Sequence, residues 1–273
     1  MSTTSPTTVL IFGGSGKVAR HLTTKLTSSS SSSSGSHAAF KVHSIIRNPD
    51  QVSEIKALGA APIVQDIESA SEDDLVRVIE DVGADIVVWA AGAGGGNPER
   101  TGSVDRDGAI KSMNATAKTT CKRFIIVSAL DVRDRARKPV PEWYDEKDKT
   151  MSGRVWGVIE PFLEAKLAAD KDLVTNNARR GLEYTIIRPG GLTNSPETGK
   201  VQAGKVHITT MISRQDIAEV VRQCILLPET KGLAFDVVGS GSDDHGEGAT
   251  EKCVEEVVRE VAKGRVDCFE GFY

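Results

Sequence analysis

Three observations predict a doubly wound α/β fold with a parallel sheet. Short apolar runs alternate with segments of helical periodicity along most of the chain. The first run, Val9-Leu10-Ile11-Phe12, breaks into Gly13, Gly14, Ser15 and Gly16 and then into a helix-like pattern. The run Asp85–Ala91 is apolar after its first residue, as a strand covered on both faces must be.

Val18, Leu22 and Leu26 give the first helix one apolar face. Ser28–Ser34, extended by Gly35 and Ser36, has nothing to bury and reads as a flexible surface insertion over 28–36. Phe40–Ile46 is the second strand, followed by Arg47, Asn48, Pro49 and Asp50. A helix through Val52, Ile55 and Leu58 stops at Gly59. Ala61–Val64 is a short third strand ending at Gln65 and Asp66, and Leu75, Val76, Ile79 and Val82 mark the helix after it. The fourth strand runs into Gly92, Gly94, Gly95 and Gly96. Ile110, Met113, Ala117 and Cys121 mark a helix, and Phe124–Val127 a fifth strand ending at Ser128. Residues 131–158 read as an irregular, charged insert and a candidate lid, with helix resuming over Leu163–Leu173. Tyr184–Ile187 is the sixth strand. A short strand is expected at Val206–Thr209, a helix capped by Ser213 with Asp216, a late strand at Phe235–Val238 and a final amphipathic helix over Thr250–Lys263.

The 273 residues suffice for one large core, and one domain over 1–273 with a small C-terminal substrate-binding portion is expected. A net charge of -4 offers no general attraction to nucleic acid or to an anionic membrane. No apolar run is long enough to span a bilayer, and MSTTSPTT lacks the basic start and apolar core of a leader, so a cytoplasmic protein is expected. Cys121, Cys224, Cys253 and Cys268 are scattered and read as free thiols. Asp243, Asp244 and Glu247 lack the spacing of a calcium loop, and no metal site is expected.

In such sheets a ligand lies beyond the carboxyl ends of the strands, so strand ends hold the candidate site. Gly13, Gly14, Ser15 and Gly16, with Lys17 and Val18 opening the helix, suit a diphosphate. Glycines allow close backbone approach, and unpaired N–H groups favour an anion. Arg47, with no acid beside it before Asp50, suits an additional phosphate and so NADP over NAD; otherwise it is a solvated surface arginine. Asp66 and Ile67 could border an adenine, or Asp66 could cap the next helix. Ala90, Ala91 and Gly92 are small enough for a flat dinucleotide to lie on them.

GGSGKVAR, RNPD, QDI, WAAGAGG, KRFIIVSA and YTIIRPGGLT, in that order, with the later ISRQDIAEVV, resemble an atypical short-chain dehydrogenase/reductase. The nearest likeness is to the NmrA-like NAD(P)H-binding proteins related to the biliverdin/flavin reductases. The resemblance covers Thr8 to about Gly239 and implies a Rossmann-like domain holding NADP. It implies Ser128 as a substrate-facing serine, Lys166 as the lysine that holds the nicotinamide ribose, and Pro189, Gly190, Gly191 and Leu192 beside the nicotinamide. Arg188 would lie next to them or form a structural ion pair, and Leu192, Thr193 and Met211 would wall the substrate. The tyrosine of the family's Tyr-x-x-x-Lys is replaced by Phe162, which carries no proton. Tyr144, with Lys147, does not reproduce that spacing and is expected to pack with Trp143. His207 and His245 are weaker proton carriers.

The expected activity is NADPH-dependent hydride transfer to a small conjugated or aromatic acceptor, with the proton drawn from solvent. Two alternatives stand beside it: a non-catalytic dinucleotide sensor with a protein partner, and an epimerase or dehydratase.

Overall fold

The computed structural model describes residues 5–28, 39–94, 98–208, 211–240 and 252–268. The serine run beyond Ser28, Gly95 and Gly96, Thr209, the 243–247 acidic group, His245 and Thr250 lie outside them.

An eight-stranded sheet forms the centre, in the order β3-β2-β1-β4-β5-β6-β10-β8. Its strands are β1 (Thr7–Phe12), β2 (Phe40–Ile46), β3 (Ala61–Val64), β4 (Ile86–Trp89), β5 (Arg123–Val127), β6 (Glu183–Pro189), β8 (Val201–Gly204) and β10 (Leu233–Gly239). A separate parallel pair joins β7 (Leu192–Thr193) to β9 (Ile212–Ser213). The helices are α1 (Lys17–Ser28), α2 (Val52–Ala57), α3 (Glu72–Val82), α4 (Pro98–Arg100), α5 (Ala109–Lys118), α6 (Glu146–Arg180), α7 (Arg214–Leu226) and α8 (Val254–Gly264). Strand order reverses between β1 and β4, where Val9 pairs with Val42 on one side and Ile86 on the other. The architecture is Rossmann-like.

Side-chain alternation builds two cores from the same strands. Val9, Ile11, Val88, Ile125 and Ile187 face α1, α7 and α8 through Leu22, Leu26, Ile217, Val221 and Val258. Leu10, Phe12, Val87, Trp89, Phe124 and Ile126 face α3, α5 and α6 through Leu75, Ile79, Met113, Ala169 and Leu173. Apolar residues on both sides of each strand therefore require helices on both faces. The Phe12 and Trp89 rings meet at 5.5 Å in the second core.

Three expectations need correction. The 131–158 stretch is irregular only to Asp145; helix α6 begins at Glu146, opened by a reciprocal cap between Asp145 and Asp148. Charges and the glycines Gly153 and Gly157 hide its periodicity in the sequence. Ile159 leaves helical geometry (φ -124°, ψ 28°) two residues before Pro161, whose ring opposes the Gly157 carbonyl, and the helix kinks there. The strand expected at Val206–Thr209 is replaced by β8, several residues earlier. Nor is the sheet parallel throughout, because β8 runs antiparallel to β10. No helix intervenes between β6 and β8 to return the chain to the opposite edge, so β8 must run back.

Gly13 adopts φ +75°, and a Cβ there would sit 2.5 Å from the Ala91 Cα. Both backbone conformation and contact exclude a side chain. Gly13→Ala should lower stability by about 1–3 kcal/mol, measurable as a shifted urea midpoint with unchanged slope.

Candidate functional site

The first loop folds tightly because its own amides close it. Gly16 N–H donates to the Gly13 carbonyl at 2.8 Å, and Gly14 N–H to the Ile45 carbonyl at 2.8 Å. A Cβ at Gly14 would overlap the Ser44 side chain, so the loop lies flat across β2. Helix α1 then starts beside the gap between β1 and β4. A cavity of about 270 Å³ lies there, lined by Gly13, Ser15, Gly16, Arg47, Asp66, Ile67, Glu68, Ala90, Ala91, Gly92 and Arg100, among others. Nine of these residues are sequence-predicted, drawn from the carboxyl ends of β1 to β4. Of the predicted loop residues, Gly14 supports the loop from behind, Val18 is buried in the core, and Lys17 is exposed with its Nζ 3.4 Å from Asn194 Oδ1.

The end of this cavity beyond β2 and β3 contains residues that no sequence pattern marks. Arg47 Nη1 lies 3.2 Å from Glu68 Oε1. Arg100 donates to the same oxygen through Nε at 3.0 Å and Nη2 at 2.9 Å, and Ser103 Oγ donates to Oε2 at 2.9 Å. The Arg100 hydrogen bond, then Ser103 and Arg47, hold the Glu68 carboxyl below its ordinary value despite some burial. Asp66 does not cap α3, a role taken by Ser71. Its Oδ1 instead accepts the Glu68 N–H at 3.0 Å, closing an Asx turn at the cavity edge.

A second cavity, of about 450 Å³, follows along the carboxyl edge at the ends of β5 and β6. Ser128, Pro189, Gly190, Gly191, Leu192 and Met211 all line it, and so do Phe162 and Arg214. Thr193 is not among the lining residues. The register continues past β5, with Ser128 N–H bonded to the Ile187 carbonyl and Leu130 N–H to the Pro189 carbonyl. The half of α6 before the kink contributes Met151, Val155 and Ile159.

Phe162, Lys166 and Asp170 fall one turn apart on one face of α6. Lys166 Nζ lies 5.6 Å from the Phe162 ring centre. Lys166 lines neither cavity. It is buried, ion-paired to Asp105 at 3.0 Å and bonded to the Val127 carbonyl at 3.3 Å. Asp105 comes from a π-helical stretch, Thr101–Gly108, and its other oxygen accepts the Ala93 N–H at 2.9 Å. Ser128 Oγ donates to Asp170 Oδ2 at 2.6 Å, and Asp170 is fully buried. Asp105 and Asp170 carry no sequence motif; a polar residue at helical spacing from Lys166 was the only signal for Asp170.

Asp131, also on the second cavity, holds a left-handed φ of 62°. Its carboxylate accepts Arg133 Nε and Trp156 Nε1, each at 3.1 Å. Arg188 forms the structural ion pair: it is fully buried, 3.3 Å from Asp236, and donates to the carbonyls of Ala129, Val132 and Cys268. Tyr144 is buried against Trp143, and burial followed by the nearby Asp236 and Asp131 raises its hydroxyl well above the ordinary value. It lines neither cavity, and neither does His207, whose Nδ1 lies 2.5 Å from Asp148. The four cysteines are free thiols, as expected. Among the described residues no helix is long and apolar enough to cross a membrane.

The profile of a family described as NAD(P)H-binding matches residues 13–228. UPF0659 protein C216.03 of Schizosaccharomyces pombe is 35% identical over 216 residues, 79% of this chain and 83% of that protein. The uncharacterized sugar epimerase YhfK of Bacillus subtilis is 34% identical over 197 residues, 72% of this chain and 81% of that protein. A putative NAD-dependent epimerase/dehydratase from Bacillus halodurans superposes with a TM-score of 0.70 at 29% identity, covering 93% of this chain and 99% of that one.

Complete burial pushes the Asp236 carboxyl up to about 7 from its ordinary 3.8; Arg188 opposes the rise, and Asp131 and Asp170 add to it. The folded chain therefore holds this proton more tightly than the unfolded chain. The stabilising contribution is full below about pH 4 and is lost as pH rises toward 7. Relative to Asp236→Asn, the wild type should lose up to about 4 kcal/mol across that window, read from urea unfolding at both ends.

Proposed function

The chain belongs to the NAD(P)H-binding family, and from that premise we propose that it is an NADPH-dependent oxidoreductase reducing a small conjugated or aromatic acceptor. The observation that carries this reading is Ser128 lining a mostly apolar cavity beside a groove floored by the glycine loop. The first groove fits the cofactor: its floor is a glycine loop that a Cβ would fill, it adjoins a helix start, and it ends at arginines. Gly13, Ser15 and Gly16 would hold the diphosphate, Ile67 and Ala90 to Gly92 the adenine side, and Arg47 the additional phosphate. Gly190, Gly191 and Leu192 would face the nicotinamide. Reduced nicotinamide supplies hydride when bound.

The chain's own residues position the acceptor and its proton. Leu130, Met151, Val155, Phe162 and Met211 exclude water from a flat apolar ring. Ser128 Oγ gives its one proton to Asp170 and so faces the acceptor with its lone pairs, able to accept from an N–H or O–H of that molecule. Lys166 is neutralised by Asp105 and keeps the β5 end and the Ala93 loop in fixed relation. Phe162 contributes shape only, so an acceptor that needs little acid assistance suits the site. An epimerase acting on a sugar, which the name of one relative suggests, has less support, because a sugar needs many polar partners and these walls are mostly apolar.

Calorimetry should show tighter binding of NADP than of NAD, and Arg47→Ala should abolish that advantage. NADPH oxidation should be measurable with a flavin or quinone. Ser128→Ala should lower kcat by about 10- to 100-fold without weakening cofactor binding, and Asp170→Asn should act in the same direction. Tight cofactor binding with no turnover across such a panel would instead favour the sensor.

A further inference from the structure

The adenosine end of the first groove holds its charges unequally. Glu68 is fixed from behind: Arg100 reaches one carboxylate oxygen with two nitrogens, and Ser103 reaches the other. Arg100 is itself tied down, donating through Nη1 to the Ala93 carbonyl at 3.0 Å. The Glu68 backbone is held by the Asp66 turn. Arg47 meets this carboxylate from β2 with a single nitrogen, at 3.2 Å, and its side chain is 56% exposed. A fixed anion thus faces a lightly held guanidinium across the same groove.

We infer that Glu68 sets the choice between the two pyridine dinucleotides, by competing with an adenosine 2′-phosphate for Arg47 and by accepting ribose hydroxyls when that phosphate is absent. This rests on the assignment of Arg47 under the proposed function. A 2′-phosphate must draw Arg47 away from Glu68 and then lie beside a carboxylate that cannot retreat, because Arg100 and Ser103 hold it. Like charges in a half-enclosed groove oppose each other more strongly than in bulk water. The unphosphorylated dinucleotide meets no such opposition, since a carboxylate is the usual acceptor for ribose hydroxyls in this fold. Arg47 therefore raises the preference for NADP while Glu68 lowers it, and both dinucleotides bind.

The test is calorimetric titration of the full chain with NADP and with NAD, for wild type, Glu68→Gln, Glu68→Ala and Arg47→Ala/Glu68→Gln. Glutamine keeps the shape and an acceptor for Arg100, with its amide N–H facing the Ser103 oxygen, and the unfolding midpoint of each variant reports its folding. Glu68→Gln and Glu68→Ala should each raise the NADP-to-NAD affinity ratio by about tenfold, a change of about 1.4 kcal/mol. In the double variant the gain should shrink but persist in part, because competition for Arg47 is removed while the direct effect of the carboxylate on phosphate and ribose remains. A ratio that stays within about twofold of wild type, or falls, in folded single variants would overturn the role of Glu68 while leaving dinucleotide binding intact. Wild-type protein that binds neither dinucleotide would overturn both this inference and the function it rests on.

Discussion

Everything in the site follows from how closely Gly13 approaches Ala91 where the sheet reverses. Strands β1 and β4 are neighbours, yet the chain leaves them toward opposite faces: α1 packs on one core, and the helices after β4 pack on the other. A crevice must open between the departing segments. Its width depends on the two backbones meeting with no side chain between them, which Gly13 allows at φ +75°. The small residues Ala90, Ala91 and Gly92 keep the opposite wall equally low.

Buried charge links the two cavities. Asp105 bonds the Ala93 amide, at the wall of the first, and Lys166, which in turn holds the carbonyl preceding Ser128 at the second. It sits on a π-helical stretch, a form that re-aims side chains and often marks functional sites. A buried ion pair of this kind is weak evidence for stability but strongly penalises separation of its partners. It thus couples the positions of two loops. Below it, Arg188, Asp236, Asp131 and Asp170 form a further set of interacting charges around the end of β6. Complete burial leaves Asp236 poised near neutrality.

Phe162 gives the second cavity part of its apolar character. The ring sets apolar bulk beside Lys166 and offers no hydroxyl, and the lysine's charge is met by Asp105. Polar function at the cavity then concentrates on Ser128, Asp131 and Arg214. Asp131 is already engaged by Arg133 and Trp156, and Ser128 is bonded to the buried Asp170 at the end of β5.

The sequence by itself determined most of the strands and helices, the glycine loop, the place of Arg47 after β2, the small residues after β4 and the places of Ser128 and Gly190–Gly191 at strand ends. These are local properties: apolar periodicity and glycine placement act within a few residues, and strand ends inherit the ligand edge from the fold class. Only the tertiary structure decided what distant side chains do to one another. Glu68 and Arg100 meet across 32 residues, Ser128 and Asp170 across 42, and no local pattern encodes either contact. The first half of α6 and the reversed strand β8 were hidden for the same reason. Charges and glycines obscured a helix whose apolar face is completed by other elements, and strand direction depends on where the preceding chain emerged.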